Sequence, residues 1–246
     1  KKNLLMVENN TYVIGDIHGG LHALQQVLIR ANVTPNDTLI FLGDYVDGWS
    51  DSPRMAGYLT KLAEKNKCVF IRGNHDANCA RWLQTGYAEP SWALHGGHIT
   101  IENYDYIDEE QKFKDAAFYN STMMYYIDDK KRLFVHAGYN SPMGVEEETD
   151  ETELYYNRNL WKRAVDAWER GVKLAFLQVY NEIFIGHTPT TKLDVDTPMC
   201  CCNVWNVDTG AAFKGRLSIM NIDTYEFWQS DPLPELYPTE RGRNEY

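Results

Sequence analysis

Five short motifs hold most of the residues able to do chemistry: GDIHG (15–19), GDYVDG (43–48), RGNHD (72–76), HAG (136–138) and GHTP (186–189). Together they offer Asp16, His18, Asp44, Asn74, His136 and His187. Carboxylate and amide oxygens mixed with imidazole nitrogens form a donor set suited to Mn²⁺, Fe or Zn²⁺. Calcium would want more oxygen. Taken singly, an Asp or His after an apolar run is ordinarily a cap or a satisfied polar side chain. Five such motifs in order, each following an apolar run, instead indicate loops that share one site. The flanking glycines let the backbone turn sharply and approach an ion or a phosphate without a Cβ in the way.

The segments before these motifs read as strands. Residues 11–15 (TYVIG) precede a helical pattern with Leu24, Val27, Leu28 and Ala31 on one face. Residues 38–42 (TLIFL) lead through a polar loop into a helix over 53–65, and residues 68–72 (CVFIR) lead into a helix over 76–83. Repeated strand-then-helix units imply a largely parallel sheet covered by helices. In the second half, residues 132–136, 182–185, 202–207 and 216–222 read as short strands joined mostly by turns, which favours mixed pairing. Residues 160–175 read as a helix, and the acidic run 146–153 as a solvated loop. In such sheets ligands bind in the crevice beyond the carboxyl ends of the strands, where the motifs stand.

Bulk properties narrow the function. With 24 basic against 35 acidic residues and a net charge of −11, the chain presents no broad surface for nucleic acid or for an anionic membrane. A phosphate binder this acidic needs local positive charge, which metal ions would supply. No run of 18 apolar residues occurs, and residues 1–10 lack the apolar stretch of a signal peptide, so a soluble cytoplasmic protein is expected. The 246 residues, 43% hydrophobic, are expected to form one domain over 1–246, with a peripheral tail from about residue 232. Cys200, Cys201 and Cys202 form no CxxC pair and read as buried thiols on alternate faces of a strand. Met123, Met124, Tyr125 and Tyr126 read as core or groove wall, and Trp82, Trp92, Trp161 and Trp168 as packing residues.

The order GD-H, GD--D, GNH followed by an acid, H-G and GH resembles the calcineurin-like metallophosphoesterases, most closely the serine/threonine phosphoprotein phosphatases in their short bacterial and phage form. The resemblance runs over about residues 12–228 and extends to LWKR (160–163) and DTGA (208–211). It implies an α/β fold in which mixed sheets are sandwiched by helices, in four layers α/β/β/α. It also implies two divalent ions, Mn²⁺ first with Fe or Zn²⁺ as alternatives. Asp16 and His18 would bind one ion, Asp44 would bridge both, and Asn74, His136 and His187 would complete the second. A hydroxide bridging the ions would attack phosphorus in line. His75 corresponds to the general acid and Asp47 to the carboxylate that fixes its tautomer. Arg163 and Asn74 correspond to phosphate-binding residues. One departure stands out: the family usually reads GD-VDRG, with the arginine clamping phosphate, whereas here Gly48 takes that place and Trp49 follows. Arg54 or Arg72 would then have to replace it.

The resemblance gives first a protein phosphatase acting on phosphoserine or phosphothreonine in a phosphoprotein or phosphopeptide. The alternative enzyme is a symmetrical bis(5'-nucleosyl)-tetraphosphatase, distinguished by basic and aromatic residues lining a cleft long enough for two nucleosides. A third reading is a metal-binding pseudophosphatase scaffold. Oligomeric state and regulatory partners are not encoded in any motif.

Overall fold

The computed structural model describes residues 9–244. The first half runs β1 (Thr11–Ile14), α1 (Leu21–Arg30), β2 (Thr38–Phe41), α2 (Ser52–Ala63), β3 (Lys67–Phe70), α3 (Asn74–Thr85), α4 (Pro90–Trp92), α5 (His98–Asn103) and α6 (Glu109–Asn120). The second half adds β4 (Tyr125–Ile127), β5 (Arg132–Val135), α7 (Glu153–Tyr156), α8 (Asn159–Glu169), β6 (Glu182–Ile185), β7 (Met199–Cys201), β8 (Val204–Asn206), β9 (Ser218–Asn221), β10 (Phe227–Gln229) and α9 (Leu233–Leu236).

Two mixed five-stranded sheets result, ordered β10-β9-β1-β2-β3 and β4-β5-β6-β8-β7. Strands β1, β2 and β3 are parallel, as are β5, β6 and β8, while β9, β10, β4 and β7 pair antiparallel. Side-chain alternation explains why the sheets face each other. Val13, Ile40, Val69, Phe134 and Phe184 point into one shared apolar layer, where Phe134 and Phe184 stack with centroids 4.9 Å apart. Their neighbours Ile14, Leu39 and Phe41 point the other way, onto α1 and α2, and Leu133, Val135, Ile183 and Ile185 point onto α8. Strands apolar on both faces need helices outside and a second sheet inside, which gives the four layers implied by the resemblance.

Several expectations are corrected. Helix α8 ends at Glu169 rather than at 175, because Gly171 adopts a left-handed φ of 64°. Cys200 and Cys201 lie on β7, but Cys202 sits in the turn to β8 with φ 56°; all five cysteines are free. Trp82, Trp92 and Trp161 pack as expected, whereas Trp168 is 56% exposed. The tail is not peripheral. Leu233 is fully buried in the core beneath α1, and Tyr237 stacks on Trp49 and donates to Asp51 at 2.7 Å. Its apolar residues at 233, 236 and 237 give α9 one face that only the body of the protein can cover. Residues 1–8, most of the stretch expected to lack a signal peptide, lie outside the described residues. Among the described residues no helix is long and apolar enough to cross a membrane.

Candidate metal site and its cleft

Each motif begins where a strand ends. β1 delivers Asp16 and His18, β2 delivers Asp44 and Asp47, β3 delivers Asn74 and His75, β5 delivers His136 and β6 delivers His187. The turns are tight: His18, Asp44, Asp47 and His187 adopt φ values of 52°, 53°, 71° and 67°. Left-handed backbone at a non-glycine residue costs on the order of 1 kcal/mol and persists only where the surroundings over-determine it. The buried Asp76 carboxylate does much of this, accepting the backbone N–H groups of Asp44, Tyr45 and Gly73 at 2.8 Å each. Gly186 is needed for close approach, since a Cβ there would run into the Asp16 carboxylate.

Hydrogen bonds aim the imidazoles. His18 Nδ1 donates to the Asp47 carbonyl at 2.8 Å, which turns Nε2 toward Asp44 Oδ2, 3.6 Å away. His136 Nδ1 donates to the Leu42 carbonyl at 2.7 Å, leaving Nε2 at 3.3 Å from both Asp44 Oδ2 and Asn74 Oδ1. These two ring bonds select the tautomer whose free nitrogen faces a cation. The backbone N–H of His187 donates to Asp16 Oδ2 at 3.0 Å and so orients that carboxylate.

The donor set fits divalent cations. Ligand atoms of Asp44, His136 and His187 lie within 4.8 Å of one another, as do those of His18, Asp44 and His75. Asp16 Oδ1 and His187 Nε2 are buried without a hydrogen-bond partner, a costly condition that a cation would relieve. Burial, with Asp208 and Asp44 close by, holds the Asp16 carboxyl well above the usual range, and burial beside Asp44 pushes Asp76 up as well. Burial likewise pushes His18 and His187 well below the usual imidazole range. The raised carboxyls report crowded negative charge that a cation would relieve, and the lowered His18 and His187 are neutral, as ligands must be; at His136 burial is outweighed by the neighbouring Asp44 carboxylate, which pushes it up.

His75 lies beside this cluster, its ring 5.0 Å from that of His18. Its Nδ1 donates to Asp47 Oδ2 at 2.6 Å, and the fully buried Asp47 also accepts from Trp92 Nε1 and Thr100 Oγ1. Trp92 and Thr100 were missed in the sequence because they follow Asp47 by 45 and 53 residues on elements without a motif. Asp76 left a signal as the acid after GNH, and Asp208 as the first residue of DTGA.

The arginines distribute differently from expectation. Arg163 is not brought to the cluster: α8 turns Leu160, Trp161, Ala164 and Ala167 to the second core, and the Arg163 guanidinium lies over the Phe176 ring at 3.9 Å. Arg158, just before α8, reaches the site instead, donating to Thr188 Oγ1 at 3.0 Å. Arg72 is spent on the Asn120 carbonyl at 2.8 Å and Arg54 on Asp51 at 2.7 Å. A cleft of about 1200 Å³ opens over His18 and His187, with Arg158, Lys192, Phe213 and Arg243 in its walls.

The chain belongs to the calcineurin-like phosphoesterase family, whose profile matches residues 10–212. More particular likenesses are to asymmetrical bis(5'-nucleosyl)-tetraphosphatases named PrpE. That of Anoxybacillus flavithermus is 25% identical over 235 residues, 87% of this chain and 91% of the relative. That of Bacillus anthracis is 28% identical over 236 residues, with the same coverage. Among solved structures, a protein provisionally assigned as a diadenosine tetraphosphatase superposes with TM-score 0.62 at 16% identity, covering 91% of this chain and 94% of that one. A serine/threonine phosphatase of Saccharomyces cerevisiae superposes with TM-score 0.63 at 15% identity, covering 93% and 82%. At these identities the two structures establish the fold alone.

Proposed function

We propose that the protein hydrolyses a phosphoanhydride bond of a dinucleoside tetraphosphate. The observation that carries this reading is the cleft: on a protein of net charge −11, Arg158, Lys192 and Arg243 converge beside the His/Asp cluster, with Phe213 in the same wall. The cations match a run of phosphates and the aromatic ring matches a base. The similarity to PrpE proteins supports it over the phosphoprotein reading, and their name favours unequal over symmetrical cleavage. Water then adds to one terminal phosphorus of the chain, the P–O bond to the next phosphate breaks, and a nucleoside monophosphate and triphosphate leave.

Asp16, His18, Asp44, Asn74, His136 and His187 would hold two divalent ions, with Asp44 shared. Mn²⁺ is the first choice. Such ions supply positive charge against phosphoryl oxygens and make water more acidic. The chain's own groups do the rest. Arg158 and Lys192 orient the polyphosphate. His75, its Nδ1–H held by Asp47, presents Nε2 to the departing oxygen, giving a hydrogen bond to a phosphate leaving group and a proton to a more basic one.

The test is parallel assay of diadenosine tetraphosphate and a phosphoserine/phosphothreonine peptide panel after chelation and Mn²⁺ reloading, with Asp44→Asn as the contamination control. Chromatography of the nucleotides should show equal AMP and ATP. Two ADP would mean symmetrical cleavage, peptide turnover alone a protein phosphatase, and neither, with metal bound, a scaffold.

A further inference from the structure

The tail and the loop after β2 meet at the cleft. Trp49 is fully buried, donates Nε1–H to the Ala211 carbonyl at 2.7 Å, and stacks on Tyr237 at 5.2 Å. Gly242, at φ 59°, lies so close to the Trp49 ring that a Cβ would stand 2.6 Å from it. The next residue, Arg243, is pinned by its N–H to the Ala212 carbonyl at 2.8 Å. Its side chain then runs between two glycines. A Cβ on Gly96 would stand 2.9 Å from Arg243 Cγ, and one on Gly48 would stand 3.6 Å from that atom and 3.1 Å from the His18 carbonyl oxygen. Gly48 has φ 135°, so a side chain at position 48 would be strained and would crowd the path Arg243 follows. The Arg243 guanidinium lies over the Phe213 ring at 5.3 Å, in the wall of the cleft.

This cation is unspent. Its Nε is buried with no hydrogen-bond partner, and among the described residues no carboxylate lies within ion-pair distance of it. The charges it feels are those of Asp44, Asp47, Asp208 and Asp16, the carboxylates of the metal site. Half-buried, with an aromatic face against it and its Nε unsatisfied, the guanidinium is placed to gain from an anion that enters the cleft. Arg158 and Lys192 line the same cleft, so an anion bound there would be near cations from separate segments of the chain.

We infer that Arg243, carried by the C-terminal tail, is the phosphate-binding guanidinium of this site, holding a substrate phosphoryl group from the position that Gly48 leaves open. The tail is thereby a part of the phosphate site, anchored by Trp49, the residue that follows Gly48. This inference rests on the phosphoesterase reading of the cluster but not on the identity of the nucleotide.

The experiment titrates inorganic phosphate calorimetrically into Mn²⁺-loaded wild type, Arg243→Ala, Arg243→Met and Arg243→Lys. Turnover of p-nitrophenyl phosphate and metal content are measured on the same samples. Arg243→Met keeps the apolar stem against Gly96 and Phe213, which guards against a variant that fails to fold. Expected are phosphate affinity weakened about 10- to 100-fold and kcat/KM lowered roughly 100-fold in Ala and Met. Lys should recover part of each, and metal content should be unchanged. Wild-type phosphate affinity in Arg243→Met, or wild type that binds no phosphate at all, would overturn the inference. If diadenosine tetraphosphate is not turned over but these phosphate effects appear, the nucleotide reading fails and the role of Arg243 stands.

Discussion

Asp47→Asn isolates the proton-holding part of the site. In the structure Asp47 is fully buried, with Oδ2 shared by His75 Nδ1 at 2.6 Å and Trp92 Nε1, and Oδ1 taken by Thr100. The amide is nearly the same size, and the Thr100 hydroxyl can rotate to accept from its NH₂, so the fold should survive. What is lost is charge. A carboxylate and an imidazolium about 4 Å apart, centre to centre, attract by about 4 kcal/mol at an effective dielectric of 20. The weakening of the hydrogen bond alone is about 1–2 kcal/mol. A loss of about 2–4 kcal/mol in the transition state converts to roughly 30- to 1000-fold in rate. That full loss applies only where the departing oxygen needs a proton. The assay is kcat for phenyl phosphate, p-nitrophenyl phosphate and diadenosine tetraphosphate at saturating Mn²⁺. Phenyl phosphate should show the full loss, and the other two, whose leaving oxygens are stable as anions, less than about 10-fold. Equal losses across the three leaving groups would refute the assignment of His75 as proton donor and make Asp47 a support for the loop alone.

Removing metal should cost stability, because Asp16, Asp44, Asp76 and Asp208 are buried together. Free metal at 100 times its Kd adds about 2.7 kcal/mol, so chelation should lower Tm by roughly 5–10 °C in calorimetry, and by much less in Asp44→Asn. Asp76→Asn turns an amide NH₂ toward one of the three backbone N–H groups of Asp44, Tyr45 and Gly73. A loss of about 1–3 kcal/mol in urea denaturation is expected, together with reduced metal content. Trp49→Phe removes the bond to the Ala211 carbonyl. Hydrogen exchange over 233–243 should quicken, with global stability down by only about 1 kcal/mol.

Much of the site was legible in the residues themselves. Asp16, His18, Asp44, Asn74, His136 and His187 each follow a strand within a few residues, so strand position and glycine-bearing turns set where each side chain emerges. Parallel strands then bring those emergence points to one edge, which is why local patterns predicted a shared crevice. The sandwich was legible only through the family resemblance, although the two-faced apolar strands carry its cause.

What only the tertiary structure decided lies far apart along the chain. Trp92 and Thr100 complete Asp47 from elements with no motif, and Arg158 rather than Arg163 enters the cleft because α8 commits its apolar face to the second core. The tail reads as peripheral because its sequence is rich in proline and charge, yet Leu233 and Tyr237 are buried, and Arg243 passes where a Cβ on Gly48, 195 positions earlier, would touch it. Backbone spacing determines which atoms a strand end presents. Which distant cation comes to meet them is settled by the packing of Trp49 against the tail, a contact between surfaces that have no shared periodicity in the sequence.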